Sequence, residues 1–297
     1  MKTLLRPLII TGLTACAAFW AMPGTVQAQI FVVNSGNDSL GEYNFDGTPI
    51  NASLVSGMNG LPYGITESDG DLFIGLHLSD SVAEYTTSGT TVNASLLSGL
   101  NYPYAIAISG EDLFIPGEDG TIGEYDTSGT TLNATLVSGL SNPTGIVEYG
   151  GHLFVENYGI GTIGEYNLDG TPVNPVLISG LAGPYSITVS GGELFVGNIN
   201  NGTIGEYNLD GTPVNTTLIS GLDYPSGIAV MDGDIFVSNY GNNTIGEYNP
   251  DGTPINTSLV SGLSGPTGIA IVVPEPTTPA LSGLGGLSLL LLRSRRK

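Results

Sequence analysis

The sequence predicts an all-β fold, a single six-bladed β-propeller over residues 29–272, and three observations carry that reading. A Gly-Glu-Tyr core or a near-equivalent recurs with glutamates at Glu42, Glu84, Glu124, Glu165, Glu206 and Glu247, so successive copies stand 42, 40, 41, 41 and 41 residues apart. Each copy holds four short β-rich runs bounded by Gly, Asn, Asp and Pro, and no window has helical periodicity. The array opens on a second-strand signal, Ile30-Phe31-Val32-Val33, and closes on a first-strand signal, Gly268-Ile269-Ala270-Ile271. One blade must therefore join the last strand of the chain to three strands from its start, which closes the ring without a disulfide.

The fifth copy shows the elements in order. Leu194-Phe195-Val196 is a second strand, Thr203 to Asn208 a third, Thr217-Leu218-Ile219 a fourth, and Gly227-Ile228-Ala229-Val230 the first strand of the next blade. Asn198 to Gly202, Leu209-Asp210-Gly211 and Leu222 to Ser226 are the connections. A four-stranded unit of this size is buried on both faces only when neighbours stack against it radially. Copies two and three replace the Asn-x-Asp-Gly-Thr-Pro turn with Thr86-Thr87-Ser88-Gly89 and Asp126-Thr127-Ser128-Gly129. A turn tolerates that exchange and a carboxylate calcium site does not. Asn167-Leu168-Asp169-Gly170 also lacks the remaining ligands of a calcium loop.

Pro-x-Gly-Ile-Ala-Val, Leu/Ile-Phe-Val, Thr-Ile-Gly-Glu-Tyr and Asp-Gly, taken together, resemble NHL-type six-bladed propeller repeats along the whole array. The departure is the glutamate, which stands where those repeats usually carry an apolar residue.

The two ends read as processing segments. Lys2 and Arg6, an apolar stretch from Leu8 to Trp20, and Val26-Gln27-Ala28 form a signal peptide over residues 1–28, cleaved after Ala28 by signal peptidase. Leu13-Thr14-Ala15-Cys16 offers a rival, a lipoprotein box on the chain's one cysteine. Residues 273–297 combine Val273-Pro274-Glu275-Pro276, an apolar run over 280–292, and Arg293, Arg295, Arg296 and Lys297. This segment resembles a PEP-CTERM sorting signal. The resemblance implies a bacterium with an outer membrane, tethering at the inner membrane in transit, removal of the tail by an exosortase, and release to the cell surface or an exopolysaccharide matrix. A retained tail anchor is the alternative, although the 13-residue run is shorter than the roughly 20 residues that span a bilayer.

Charge narrows the partners. All six basic residues lie at the ends, so the body carries 26 carboxylates (27 less Glu275) and no lysine or arginine. Such a polyanion repels nucleic acid and anionic lipid, and membrane contact is left to the terminal segments.

No catalytic residue, metal or cofactor is expected. The six glutamates belong to third strands, at mid-radius, where hydrogen bonds to backbone amides or to Asn and Tyr of a neighbouring strand would satisfy them. The axis would be lined by first strands such as Gly64-Ile65-Thr66, Ala105-Ile106-Ala107 and Ser186-Ile187-Thr188, which bring no convergent acids or bases. His77 and His152 are read as ordinary surface residues. The Asn-x-Ser/Thr triplets at Asn51, Asn93, Asn133, Asn215 and Asn256 are read as turn residues. The function expected is a non-enzymatic surface or matrix scaffold. A propeller lyase or lactonase and a calcium-dependent adhesion protein are the alternatives.

Strand direction puts the loops after each second strand and before each first strand on one face. That face collects Tyr63, Tyr104, Tyr158, Tyr185 and Tyr240, with Tyr102 and Tyr224, and the asparagines Asn157, Asn198 and Asn239. Tyrosine supplies flat apolar area with a polar tip and asparagine a donor beside an acceptor, a pairing suited to neutral hydroxyl-rich ligands such as polysaccharide.

Overall fold

The computed structural model describes residues 27–273, so the export signal up to residue 26 and the sorting segment after Val273 lie outside the described residues. Six four-stranded antiparallel sheets form the blades of a ring, and the inner strands of successive blades touch one another all the way round. Blade I is the expected composite: Pro266–Val272 innermost, then Gln29–Asn34, Ser39–Asn44 and Pro49–Ser56. Its closing ladder pairs Gln29 with Val272 and Phe31 with Ala270. The inner strands of blades II to VI are Pro62–Ser68, Ala107–Ser109, Pro143–Tyr149, Pro184–Ser190 and Pro225–Met231. Among the described residues no helix is long and apolar enough to cross a membrane, and the apolar run over 280–292 falls outside them.

The second strands are buried on both faces, which is why they read as unbroken apolar runs. Their alternate residues point into different blade interfaces. Phe195 packs with Ile235, Val237 and Tyr248 of the following blade, whereas Leu194 and Val196 pack with Phe154 and Ile163 of the preceding one. Six such clusters, one per interface, make up the core.

The Gly-Glu-Tyr signature has a packing cause. The tyrosine ring folds back over the glycine two residues earlier, so a Cβ on Gly205 would stand 2.8 Å from the Tyr207 ring. The ring covers the backbone that the glycine leaves bare, and the tyrosine is buried in the blade interface. Blade II carries Ala83 there, so a methyl is accommodated with a local shift.

The Asp-Gly-Thr turns are closed locally. Asp210 Oδ1 accepts the Thr212 amide at 2.9 Å and its hydroxyl at 2.6 Å, Gly211 sits at φ 82°, and Asp46, Asp169 and Asp251 repeat the pattern. These bonds hold the turn aspartates below the usual carboxylate range. Asn51, Asn93, Asn133, Asn174, Asn215 and Asn256 lie inside the outer strands and not in the connecting turns, and each accepts the amide two residues on at a shift of register opposite the third-strand glutamate.

Candidate ligand-binding face

Every inner strand pairs on one side only, so its free edge of N–H and C=O groups lines a central channel of about 370 Å³. Ile65, Ile106, Ile146, Ile187, Ile228 and Ile269 mark its six walls, as the repeat predicts.

One mouth of this channel is built from a single repeat position, the residue after the proline that opens each inner segment. In blades I, IV and VI it is Thr267, Thr144 or Ser226, whose hydroxyl donates to the carbonyl of Pro62, Pro184 or Pro266 in the next blade, at 3.1, 3.1 and 2.8 Å. In blades II, III and V it is Tyr63, Tyr104 or Tyr185, all lining the channel, and the rings close over the mouth. Tyr63 and Tyr104 meet edge to face at 5.2 Å, Tyr104 reaches Tyr185 two blades away at 5.8 Å, and Tyr158 adds a contact at 6.2 Å. Burial pushes the Tyr63, Tyr104 and Tyr185 hydroxyls above the usual phenol range.

Tyr104 reaches so far because its segment has left the sheet. Blade III pairs only Ala107, Ile108 and Ser109 with its second strand, whereas blade V pairs from Pro184 to Ser190. Pro116 has no amide to donate at the position of Gly197, and Gly117 replaces the asparagine that ties down the inner segments of blades I, IV, V and VI, a position where blade II carries Leu76.

That asparagine is where the expected ligand face needs correction. Asn157, Asn198 and Asn239 are 2%, 3% and 2% exposed, and their Oδ1 atoms accept the amides of Ser141, Ala182 and Asp223. They anchor the loop that enters each inner strand and present nothing to a ligand. The tyrosines do assemble: Tyr63, Tyr104, Tyr158 and Tyr185 share one cluster with Tyr102, while Tyr224 and Tyr240 stand exposed on loops joined by the Tyr240 amide and the Tyr224 carbonyl.

His77 is a second correction. It opens a short 3-10 turn, His77–Ser79, and is only 9% exposed, enclosed by Tyr63, Tyr102 and Tyr104 with centroids 5.1, 5.1 and 4.4 Å away. Its Nε2 lies 3.9 Å from Glu118 Oε1, which also accepts the Tyr104 hydroxyl at 2.9 Å. Burial holds the imidazole pKa down, against the opposing pull of Glu118. His152 is half-exposed, and its Nδ1 lies 3.3 Å from Glu165 Oε1 without a hydrogen bond of good geometry.

The third-strand glutamates do not make the bonds expected of them. Among the described residues none of the six bonds to a backbone amide, an asparagine or a tyrosine; they are half-buried and wetted, apart from Glu42, which is buried. Glu84, Glu124, Glu206 and Glu247 face Asp71, Asp112, Glu193 and Asp234 at the start of the neighbouring second strand. Burial first, and then those like charges, raise their pKa values.

Glu156 escaped sequence reasoning. It is wholly buried against Gly145 in the channel wall, with neither oxygen in a hydrogen bond of good geometry. Burial raises its carboxyl well above the usual range, an effect the Gly145 amide only partly offsets. The signal was its equivalence to Val33, Gly75, Pro116, Gly197 and Ser238, none of them ionisable.

The family models matched are the NHL repeat, over residues 222–248, and the PEP-CTERM protein-sorting motif, over residues 272–297. The sorting motif marks an exported, membrane-processed protein and implies processing by an exosortase. No curated protein matches. Among solved structures, the nidogen/laminin complex superposes with a TM-score of 0.73 at 16% identity, covering 82% of this chain and 98% of that one. A streptogramin B lyase gives 0.58 at 19% identity, covering 82% and 77%. At such identities the likeness is one of propeller fold.

Proposed function

We propose that this exported propeller is a non-enzymatic binding scaffold of the cell surface or extracellular matrix, and that its tyrosine face holds polysaccharide. The observation that carries the reading is the closure of one channel mouth by Tyr63, Tyr104 and Tyr185, with Tyr102, Tyr224 and Tyr240 exposed around it. Clustered tyrosines offer flat, rigid area with hydroxyl tips, the chemistry that sugar rings use for stacking and hydrogen bonding. Among the described residues the tyrosine ring contacts all lie on this face and none on the opposite one. The opposite face carries most of the body's carboxylates, in the turns after each first and third strand. The first and last strands of the described chain also start at Gln29 and end at Val272 on that face.

A lyase-type reading draws on the streptogramin B lyase likeness. It has less support, because the mouth positions are Tyr, Thr and Ser, and His77 is packed inside the aromatic cluster.

Retention on the producer's own matrix tests the proposal. Replacing the exposed Tyr102, Tyr224 and Tyr240 with alanine should weaken retention at an unchanged unfolding midpoint, and adding Tyr104→Ala should weaken it further. Full retention by the quadruple variant would reduce this face to a structural role.

A further inference from the structure

Resting on the polysaccharide reading above, we infer that the glycan held by the tyrosine face carries free amino groups, and that Glu118 with the Tyr63–Tyr102–Tyr104 cluster forms the subsite for a protonated sugar amine. The first support is charge. The loops of this face contain Asp38, Asp80, Glu118, Asp119 and Asp223 within a body that has no lysine or arginine, so uronate, sulfate or phosphate polymers are repelled and ammonium groups attracted.

The second support is a built geometry. Glu118 is the one charged residue at the first position of its loop; the equivalents are Ser35, His77, Tyr158, Ile199 and Tyr240. Its Oε1 is fixed by the Tyr104 hydroxyl at 2.9 Å, and its Oε2 makes no side-chain hydrogen bond among the described residues. Beside it three tyrosine rings surround His77, whose buried Nδ1 has no partner of good geometry. His77 fills the inside of the cluster, so a cation meets the exposed part of Tyr102, whose ring attracts it electrostatically, and the Glu118 carboxylate adds an ion pair. Burial shifts the imidazole toward its neutral form, which weakens its hold on that carboxylate. Pro116 completes the arrangement by releasing residues 103–106 from the sheet, which brings Tyr104 over the mouth and next to Glu118.

The test uses the processed body and three probes of matched length: an oligomer of N-acetylglucosamine, its deacetylated glucosamine counterpart, and an oligouronate. At mildly acidic pH, calorimetry should show the glucosamine oligomer binding about five- to tenfold more tightly than the acetylated one. The oligouronate should show no binding. Glu118→Gln, in an exposed loop and checked by its unfolding midpoint, should bring the ratio near one. Glu148→Gln on the opposite face should leave it as in the wild type. Equal affinity for the acetylated and deacetylated oligomers would overturn the amine subsite while leaving the polysaccharide reading intact. Binding of none of the probes or of the native polymer would remove both. A preference that survives Glu118→Gln and disappears only in high salt would assign it to the net charge of the body and overturn the subsite.

Discussion

In blade V the inner strand Pro184–Ser190 pairs along its length with Glu193–Asn198, whereas in blade III only Ala107–Ser109 pairs with Asp112–Gly117. Both blades keep the same core residues, Phe195 and Phe114 on one side and Tyr207 and Tyr125 in the interfaces. The difference comes from two positions, Gly197 and Asn198 in one blade against Pro116 and Gly117 in the other. What the repeats share therefore holds the ring together, and what they do not share gathers at the channel mouth around Tyr104, His77 and Glu118.

The strongest way to break this comparison is through the shared core. Phe236→Ala and Phe114→Ala each empty a fully buried site and should each cost about 3–5 kcal/mol in urea unfolding. A much smaller loss at Phe114 would mean that the loosening of blade III reaches its core. The next effect isolates the anchor. Asn198→Ala strands the Ala182 amide and should cost about 1–2 kcal/mol. Giving blade III the blade I residues, Pro116→Val with Gly117→Asn, should add about 1 kcal/mol and slow amide exchange over residues 104–107. Unchanged exchange there would show that something other than these two residues frees the segment.

These contrasts also explain which features could be read beforehand. Blade number, strand order, closure through Pro266–Val272 and the residues lining the channel follow from local periodicity, and the structure keeps them. Asn157, Asn198 and Asn239 were misassigned because asparagine is common in exposed turns, while their burial depends on which loop folds over the strand end. The enclosure of His77 depends on three tyrosines from blades II and III meeting across a blade boundary, which no single repeat encodes. The third-strand glutamates failed for a related reason: the register sets a phenylalanine directly opposite each of them, and the diagonal position two residues before it holds an acid in four blades, His152 in a fifth and Gln29 in the sixth.

A smaller effect separates the buried and half-buried glutamates from the exposed turn aspartates. Glu42, Glu84, Glu124, Glu156, Glu206 and Glu247 have pKa values raised above 4.5, so the folded chain binds their protons more tightly than the unfolded chain does. Stability should therefore rise as pH falls from neutral through those raised values. Asp46, Asp126, Asp169, Asp210 and Asp251 are lowered from 3.8, so their contribution is lost as pH falls below that value toward their folded ones. The melting temperature should peak at roughly pH 4–5, on the acid side of the usual range. Glu156→Gln should flatten the rise on the neutral side, because a glutamine cannot take up the proton. A peak near pH 7 would contradict the assignment of these groups.

The most direct measurement of the central claim is hydrogen exchange across the whole ring with and without the native polysaccharide. The account predicts added protection in residues 77–80, 101–106, 158–161 and 240–243, with the turns around Asp69, Glu148 and Asp232 unchanged. Protection confined to those turns, or to the outer strands, would contradict it.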